Sequence, residues 1–120
     1  MKVLVVDDDL IVIKSCCKVL EAEGIEIESA NTVELGEALL LNKAFDLMLT
    51  DIKMPGQDGF EMIKCAKQIR PDMPILMMTG YLTSDTISNI RRLGVKNYIS
   101  KPFTPEELIK SVKTALNSFT

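Results

Sequence analysis

The sequence predicts an α/β fold, a doubly wound five-stranded parallel sheet with five helices, and three observations lead to it. First, short and mostly apolar runs stand at 2–6, 46–50, 74–79 and 96–100 ("KVLVV", "DLMLT", "PILMMT", "KNYIS"). Such runs are typical of parallel strands that are covered on both faces. Second, segments with helical periodicity separate these runs, so right-handed crossovers place helices on both faces of the sheet. Third, a chain of 120 residues with 47% hydrophobic content fits one domain, 1–120, with one core.

The strands come first in each of the five units. The run at 25–29, "IEIES", is weaker than the other four because it alternates apolar and acidic residues, and this pattern indicates an edge strand. No linker or low-complexity segment interrupts the alternation. The order is therefore βαβαβαβαβα.

The helices are predicted from apolar spacing and from start and stop signals. Gly24 should end the first helix, Pro71 marks the end of the third (58–70), and Gly94 should end the fourth (84–93). Thr104, followed by Pro105 and Glu107, predicts a capped start for the fifth. The predicted inward residues are, in chain order, Leu10, Ile13, Cys17 and Leu20; Leu35, Leu39 and Leu40 within 33–42; Phe60, Ile63, Ala66 and Ile69; Ile87, Ile90 and Leu93; and Leu108, Val112, Ala115 and Phe119.

Composition excludes several functional classes. The net charge of −3 argues against a nucleic-acid-binding surface on this domain. No window approaches the roughly 18 apolar residues of a membrane span, and the aspartates at 7–9 interrupt the first apolar run too early for a signal peptide. We therefore expect a cytoplasmic location without membrane contact. Histidine is absent, which excludes His-based zinc sites, Ser-His-Asp chemistry and a phosphohistidine donor. The three cysteines are expected to be reduced and packed as small apolar residues, with a redox role as the alternative.

Charged and hydroxyl side chains stand at the C-terminal ends of the predicted strands. Asp7 and Asp8 follow the first strand, Asp51 the third and Lys101 the fifth, while Thr79 closes the fourth. Parallel strands bring these ends to one edge of the sheet, where open α/β folds bind their ligands. We therefore expect three carboxylates, one hydroxyl and one ammonium to converge there.

Carboxylates at such short range repel one another unless a cation lies between them. Oxygen ligands, with no histidine and no cysteine at these strand ends, favour Mg²⁺ over softer metals. Lys101 and Thr79 are suited to hold phosphoryl oxygens, and Asp51 on the central strand is the candidate acceptor. Structural interpretations stay open beside this one. Asp9 is better explained as a helix cap, and the aspartates at 7 and 8 could cap too; Asp51 could be a turn residue, Lys101 a solvated surface residue and Thr79 an ordinary strand residue.

Four motifs in order, "VLVVDDD", "DLMLTDIKMPGQDG", "ILMMTG" and "YISKPF", closely resemble the receiver domain of two-component response regulators over essentially the whole chain. The resemblance implies the flavodoxin-like strand order 2-1-3-4-5, for which members of this family are themselves a standard example. It implies that Asp51 is the phosphoacceptor, with Lys101 and Thr79 binding phosphoryl oxygens and a cis peptide between Lys101 and Pro102. For the metal, it implies Mg²⁺ bound by Asp8, by Asp51 and by the backbone carbonyl of Lys53, with Asp7 acting through water.

The resemblance also implies a switch and its partners. Tyr98 occupies the switch aromatic position and should turn inward when Thr79 shifts toward a phosphoryl group, changing the surface of the fourth helix, fifth strand and fifth helix. The expected partner is a sensor histidine kinase or a phosphotransfer protein, and the same surface allows a homodimer. The chain would catalyse only its own phosphorylation and slow dephosphorylation, so it is not an enzyme in the usual sense. Tyr81, two positions after Thr79, is expected to slow loss of the phosphoryl group.

Three other functions are weighed against the switch. A phosphohydrolase with an aspartyl nucleophile usually has a second acid two residues further on, where this chain has Lys53. A flavin-binding module would need a Ser/Thr/Gly-rich phosphate loop after the first strand, which ends in aspartates instead. A degenerate receiver used only for docking would not need the complete acidic set.

Overall fold

The computed structural model describes residues 1–54, 57–80 and 82–117, with only the backbone at 53–54 and 57–58. The strands are β1 (Lys2–Val6), β2 (Glu26–Ala30), β3 (Leu47–Asp51), β4 (Lys53–Met54), β5 (Gln57–Asp58), β6 (Ile75–Thr79) and β7 (Asn97–Ser100). The helices are α1 (Leu10–Glu21), α2 (Val33–Asn42), α3 (Gly59–Ile69), α4 (Ser84–Arg92) and α5 (Pro105–Asn117). Among the described residues, none of these helices combines the length and the apolarity needed to cross a bilayer.

Five of the strands form one parallel sheet in the order β2-β1-β3-β6-β7. This is the predicted order 2-1-3-4-5 once the two short strands are set aside, so the predicted fold class is confirmed. The acidic, alternating segment is indeed the edge strand β2. The strands β4 and β5 pair antiparallel with each other, Lys53 opposite Asp58, between β3 and α3. They were not predicted, because two-residue strands leave no apolar run.

The sheet divides the core into two clusters that follow the alternation of side chains along each strand. Leu4, Val6, Met48 and Met77 pack on one face with the buried side chains of α2, α3 and α4. The intervening strand residues pack on the other face with those of α1 and α5. Apart from Phe45 in the first cluster, the buried members of both are aliphatic and sulfur-containing side chains that are almost entirely removed from water.

Two predicted helix faces were partly wrong. Leu10 is 59% exposed, because Asp9 caps α1 and leaves Leu10 in the first turn, away from the buried stripe formed by Ile13, Cys16 and Leu20. Leu35 is 44% exposed, because α2 buries a stripe that includes a glycine instead.

That glycine is Gly36, and a Cβ atom there would lie 2.9 Å from Met62 Sδ on α3. A search for large apolar residues passes over a glycine even where another helix packs closely against it. In α3 and α4, Ile63, Ala66 and Ile90 are buried as predicted, whereas the other predicted residues are half-buried. The predicted stripe of α5 is confirmed up to Ala115, and Phe119 lies outside the described residues.

The predicted helix ends are well reproduced. Gly24 and Gly94 have φ of 79° and 86°, a region that favours glycine, and they come three and two residues after the last residues of α1 and α4. At the start of α5, Glu107 N donates to Thr104 Oγ1 (3.1 Å), and Thr104 N donates to a Glu107 carboxylate oxygen (3.0 Å). This reciprocal pair is the predicted capping box.

Candidate functional site

Three carboxylates meet at the C-terminal edge of the sheet. Asp7 follows β1, Asp8 comes next, and Asp51 is the last residue of β3 rather than the residue after it. One carboxylate oxygen from each lies within 4.8 Å of the others. Asp7 is fully buried and Asp51 nearly so, while Asp8 is exposed. The structure therefore brings together the acidic residues that the sequence placed at neighbouring strand ends.

Lys101 joins two of these carboxylates. Its Nζ donates to Asp7 Oδ2 at 2.8 Å and to Asp51 Oδ2 at 2.7 Å. The backbone positions it, because Lys101 N donates to Thr79 O at 2.8 Å just beyond the paired ends of β6 and β7. The peptide between Lys101 and Pro102 is cis, as expected. The sequence predicted a phosphoryl contact for Lys101 but not this bridge, which depends on side-chain reach rather than on spacing.

Thr79 and Tyr98 lie on one side of the sheet. Thr79 is 1% exposed at the end of β6, opposite Ser100, and Tyr98 pairs with Met77 two residues earlier. Alternation along the strands therefore places both side chains on the same face. Tyr98 is half-buried and packs against the core cluster on that face. The structure thus places the predicted switch residues near each other, on neighbouring strands.

Asp9 is the cap of α1, as predicted. Its carboxylate accepts from Ile11 N at 2.9 Å. Its own amide donates to Asp7 Oδ1, also at 2.9 Å. The backbone after β1 is thereby folded so that Asp7 points into the sheet edge and Asp8 toward solvent.

The electrostatics of the cluster favour an added cation. Burial raises the pKa of Asp7 above its usual value, and the hydrogen bonds from Lys101 and from the Asp9 amide only partly offset this. For Lys101, burial lowers the pKa, but the hydrogen bonds to Asp51 and Asp7 more than compensate, so its pKa is raised and it stays an ammonium. Among the described side chains, these three carboxylates thus face the ammonium of Lys101.

The donor set fits Mg²⁺. The clustered atoms are carboxylate oxygens, which hard divalent cations prefer, and the exposed Asp8 leaves a side open to metal-bound water. Lys53 begins β4 only two residues after Asp51, so its backbone is close to the acidic cluster along the chain. Tyr81, which is expected to slow loss of the phosphoryl group, lies outside the described residues, as do Pro55 and Gly56 of the second motif.

The cysteines provide no competing chemistry. Cys16 is fully buried, and burial, followed by the nearby Cys17 thiol and the Asp7 carboxylate, raises its pKa to about 12. Burial also raises the pKa of Cys17 and of Cys65. All three thiols are free, which agrees with the predicted structural role.

Sequence reasoning missed Gly59, the first residue of α3. Its amide donates to the carbonyl of Ile52, the residue after Asp51, at 2.9 Å. The signal available was a glycine at the first position of a predicted helix. On its own that signal did not indicate a contact with the loop beside the acidic cluster.

A doubly wound sheet with an acidic cluster and a bridging lysine at its C-terminal edge places the chain in the class of α/β domains that bind their ligands at the carboxyl ends of the strands. A family model described as "Response regulator receiver domain" matches residues 3–113. The chain therefore belongs to the receiver domains of two-component response regulators, which are signalling domains.

Individual relatives agree with this family. The chain is 35% identical to the transcriptional regulatory protein ZraR of Klebsiella oxytoca over 118 residues, 95% of this chain and 26% of ZraR. It is also similar to the crystal structure of a CheY-like receiver domain protein from Methanospirillum hungatei, with a TM-score of 0.92, 36% identity, and coverage of 98% of this chain and 94% of the other. The beryllofluoride-activated NtrC4 receiver domain dimer has a TM-score of 0.91 and 29% identity, with 99% of this chain and 98% of that one covered. The chain spans between about a quarter and a half of the length of the curated relatives it matches.

Proposed function

We propose that this chain is a Mg²⁺-dependent phosphoacceptor switch in which Asp51 receives a phosphoryl group from a sensor histidine kinase or a phosphotransfer protein. The observation that carries the proposal is the bridge at the sheet edge. The ammonium of Lys101 lies 2.7 Å from the Asp51 carboxylate and 2.8 Å from that of Asp7, within a cluster of three acids. This arrangement offers an ionised nucleophile together with positive charge for an incoming phosphoryl group.

The chemistry asks little of the protein beyond position and charge. An Asp51 carboxylate oxygen attacks phosphorus, an O–P bond forms, and the P–N bond of the donor phosphohistidine breaks, with the electron pair and a proton passing to the departing imidazole. Lys101 then pairs with a phosphoryl oxygen and Thr79 donates its hydroxyl to another. Bound through Asp8, Asp51 and the Lys53 carbonyl, and through Asp7 by way of water, Mg²⁺ supplies charge neutralisation on the transferring group.

The output follows from where the acceptor's neighbours lie. Phosphorylation adds negative charge and strong acceptor oxygens, which draw Thr79 toward Asp51. Tyr98, on the same face and half-buried, turns inward into the space that Thr79 leaves. The surface formed by α4, β7 and α5 changes in consequence and controls an output domain or a partner. A receiver homodimer through this surface is part of the proposal, supported by the dimer named for the NtrC4 receiver.

The remaining parts of the proposal concern the extent of the domain, its location and the limits of its catalysis. We take 1–120 as one receiver domain in the cytoplasm that does not itself contact nucleic acid or membrane. Its catalysis is limited to its own phosphorylation and dephosphorylation, since Lys53 stands where an aspartyl phosphohydrolase usually has a second acid.

The test uses a small phosphodonor in place of the kinase. With acetyl phosphate and Mg²⁺, intact-protein mass spectrometry should show one added phosphoryl group per chain, and Asp51→Asn should lose it. The matched control is Asp72→Asn, which should be labelled normally. Asp72 is exposed and precedes β6, so it lies at the N-terminal ends of the strands, away from the acidic cluster. Labelling that survives Asp51→Asn contradicts the assignment of the acceptor. Hydrolysis of many equivalents of donor would favour the phosphohydrolase instead.

A further inference from the structure

Gly59 has no room for a side chain. A Cβ atom built on it would lie 2.1 Å from the carbonyl oxygen of Ile52 and 2.5 Å from the carbonyl carbon, all backbone atoms. Real Cβ atoms essentially never approach other atoms within 3.0 Å. Gly59 N also donates to that same carbonyl at 2.9 Å, so the first turn of α3 rests directly on the peptide that follows Asp51.

That peptide leads into the metal site. Ile52 is flanked by Asp51, which ends β3, and by Lys53, which begins the short antiparallel pair with Gln57–Asp58. The backbone between acceptor and helix is thus fastened at two points, the Lys53–Asp58 pairing and the Gly59–Ile52 hydrogen bond. Whatever moves the Ile52 carbonyl also moves the next carbonyl along the chain, that of Lys53.

We propose that Gly59 is a positioning residue for the metal: by lacking a side chain, it sets the place of the Lys53 backbone carbonyl and thereby the affinity of the acidic cluster for Mg²⁺. This inference rests on the proposed function, because it takes the Lys53 carbonyl as a metal ligand. It adds a residue that touches neither the metal nor the phosphoryl group.

A side chain at position 59 would displace the loop rather than the helix. The helix α3 is anchored by Met62, Ile63 and Ala66, all fully buried in the core. Ile52 is itself buried in that core, but the chain that continues from it through Lys53 is held by a pair of two-residue strands, which is a weaker attachment than a buried helix. Relieving the overlap requires the two backbones to separate by roughly 1 Å, a displacement that can alter activity about a hundredfold at a reactive centre. Mg²⁺ accepts ligands only near 2.0–2.1 Å in close to octahedral geometry, so a shift of this size should remove the carbonyl from its coordination shell.

The chain offers a matched control at Gly36, a second buried glycine. There an added Cβ would meet Met62 Sδ at 2.9 Å, near the end of that side chain, and a flexible side-chain end can yield where a backbone carbonyl cannot. Gly36→Ala therefore adds the same methyl group to the α2–α3 packing without pressing on the loop after Asp51.

The experiment measures Mg²⁺ binding by isothermal titration calorimetry on the folded, unphosphorylated chain. Gly59→Ala should bind Mg²⁺ at least tenfold more weakly than the wild type, and Gly36→Ala should stay within twofold. A merely structural role would lower the melting temperature of Gly59→Ala without changing its dissociation constant, and that result would overturn the proposal. If the wild type itself fails to bind Mg²⁺, the metal site of the proposed function fails instead.

A second measurement on the wild type decides the matter if Gly59→Ala does not fold. The Gly59 amide hydrogen should exchange more slowly with solvent once saturating Mg²⁺ fixes the loop, because its acceptor is the Ile52 carbonyl. The Gly36 amide, which donates to the carbonyl of the α2 cap residue Thr32 at 3.1 Å, is the internal reference. Slowing at Gly59 well beyond that at Gly36 supports the proposal, and equal change at both overturns it.

Discussion

Replacing Lys101 by methionine tests the part of the site that balances its charge. The substitution keeps the length of the side chain and removes the ammonium, leaving the buried Asp7 carboxylate and the nearly buried Asp51 carboxylate without the cation that joins them. The metal-free protein at neutral pH should therefore lose stability.

The magnitude follows from burial. Removing one partner of a buried ion pair destabilises a protein by about 3–5 kcal/mol. The side chains of Lys101 and Asp51 keep 21% and 10% of their exposure, so solvent screens part of the effect. We expect a loss of about 2–3 kcal/mol at neutral pH, which for a chain of this size corresponds to about 10 °C in melting temperature.

The assay is urea and thermal unfolding followed by far-ultraviolet circular dichroism in the presence of a chelator. Lys113→Met is the control, because Lys113 lies at 3.5 Å from Glu23 with 63% of its side chain exposed, and its loss should change stability by at most about 0.5 kcal/mol. Saturating Mg²⁺ should recover part of the loss in Lys101→Met, since the metal compensates the same carboxylates. A metal-free Lys101→Met protein as stable as Lys113→Met would refute the reasoning.

Three further predictions concern single groups. Asp7→Asn should raise the metal-free melting temperature by a few degrees at pH 7. The pKa of Asp7 is raised in the folded state, so its ionisation destabilises that state as pH rises above the ordinary value of 3.8. The gain should vanish below pH 3.8, and a fall in melting temperature at pH 7 would contradict it. Thr104→Ala should cost about 1 kcal/mol in urea unfolding by breaking the capping box, whereas Thr114→Ala on the exposed face of α5 should cost nothing; equal effects would refute the cap. Cys16, studied with the other two cysteines replaced by serine, should not react with Ellman's reagent at pH 8 until urea unfolds the chain, and reaction at the rate of a free thiol would show that it is not buried.

The sequence predicted the sheet well because its strands are covered on both faces. Each strand of the main sheet left a run that could be found without knowing its neighbours, and the predicted bounds were within one residue at each end. The helix faces were less predictable. Leu35 was chosen for burial on hydropathy alone, whereas the packed position is Gly36, and that choice depends on how closely α3 approaches.

The candidate site also combines features that could be predicted from the sequence with features that could not. Asp7, Asp8 and Asp51 could be placed together from topology, since parallel strands end at one edge of the sheet. The reach of Lys101 to Asp7 and the contact of Gly59 with the Ile52 carbonyl could not be predicted. The first contact joins residues that are far apart in sequence, and the second involves a loop whose path follows no hydropathy pattern.

The shallow burial of α4 affects how much free energy is needed to move this helix. Along Ser84–Arg92, which the structure describes in full, the buried residue is Ile90, while α1 and α5 each bury three. Burying one isoleucine stabilises by about 1.5–3 kcal/mol, and one hydrogen bond to a charged group contributes about as much. Under the proposed function, a single phosphorylated side chain would supply enough free energy to reposition α4, but not to detach either of the more deeply buried helices. The depth to which each helix is buried would then select the one that responds to the phosphoryl group.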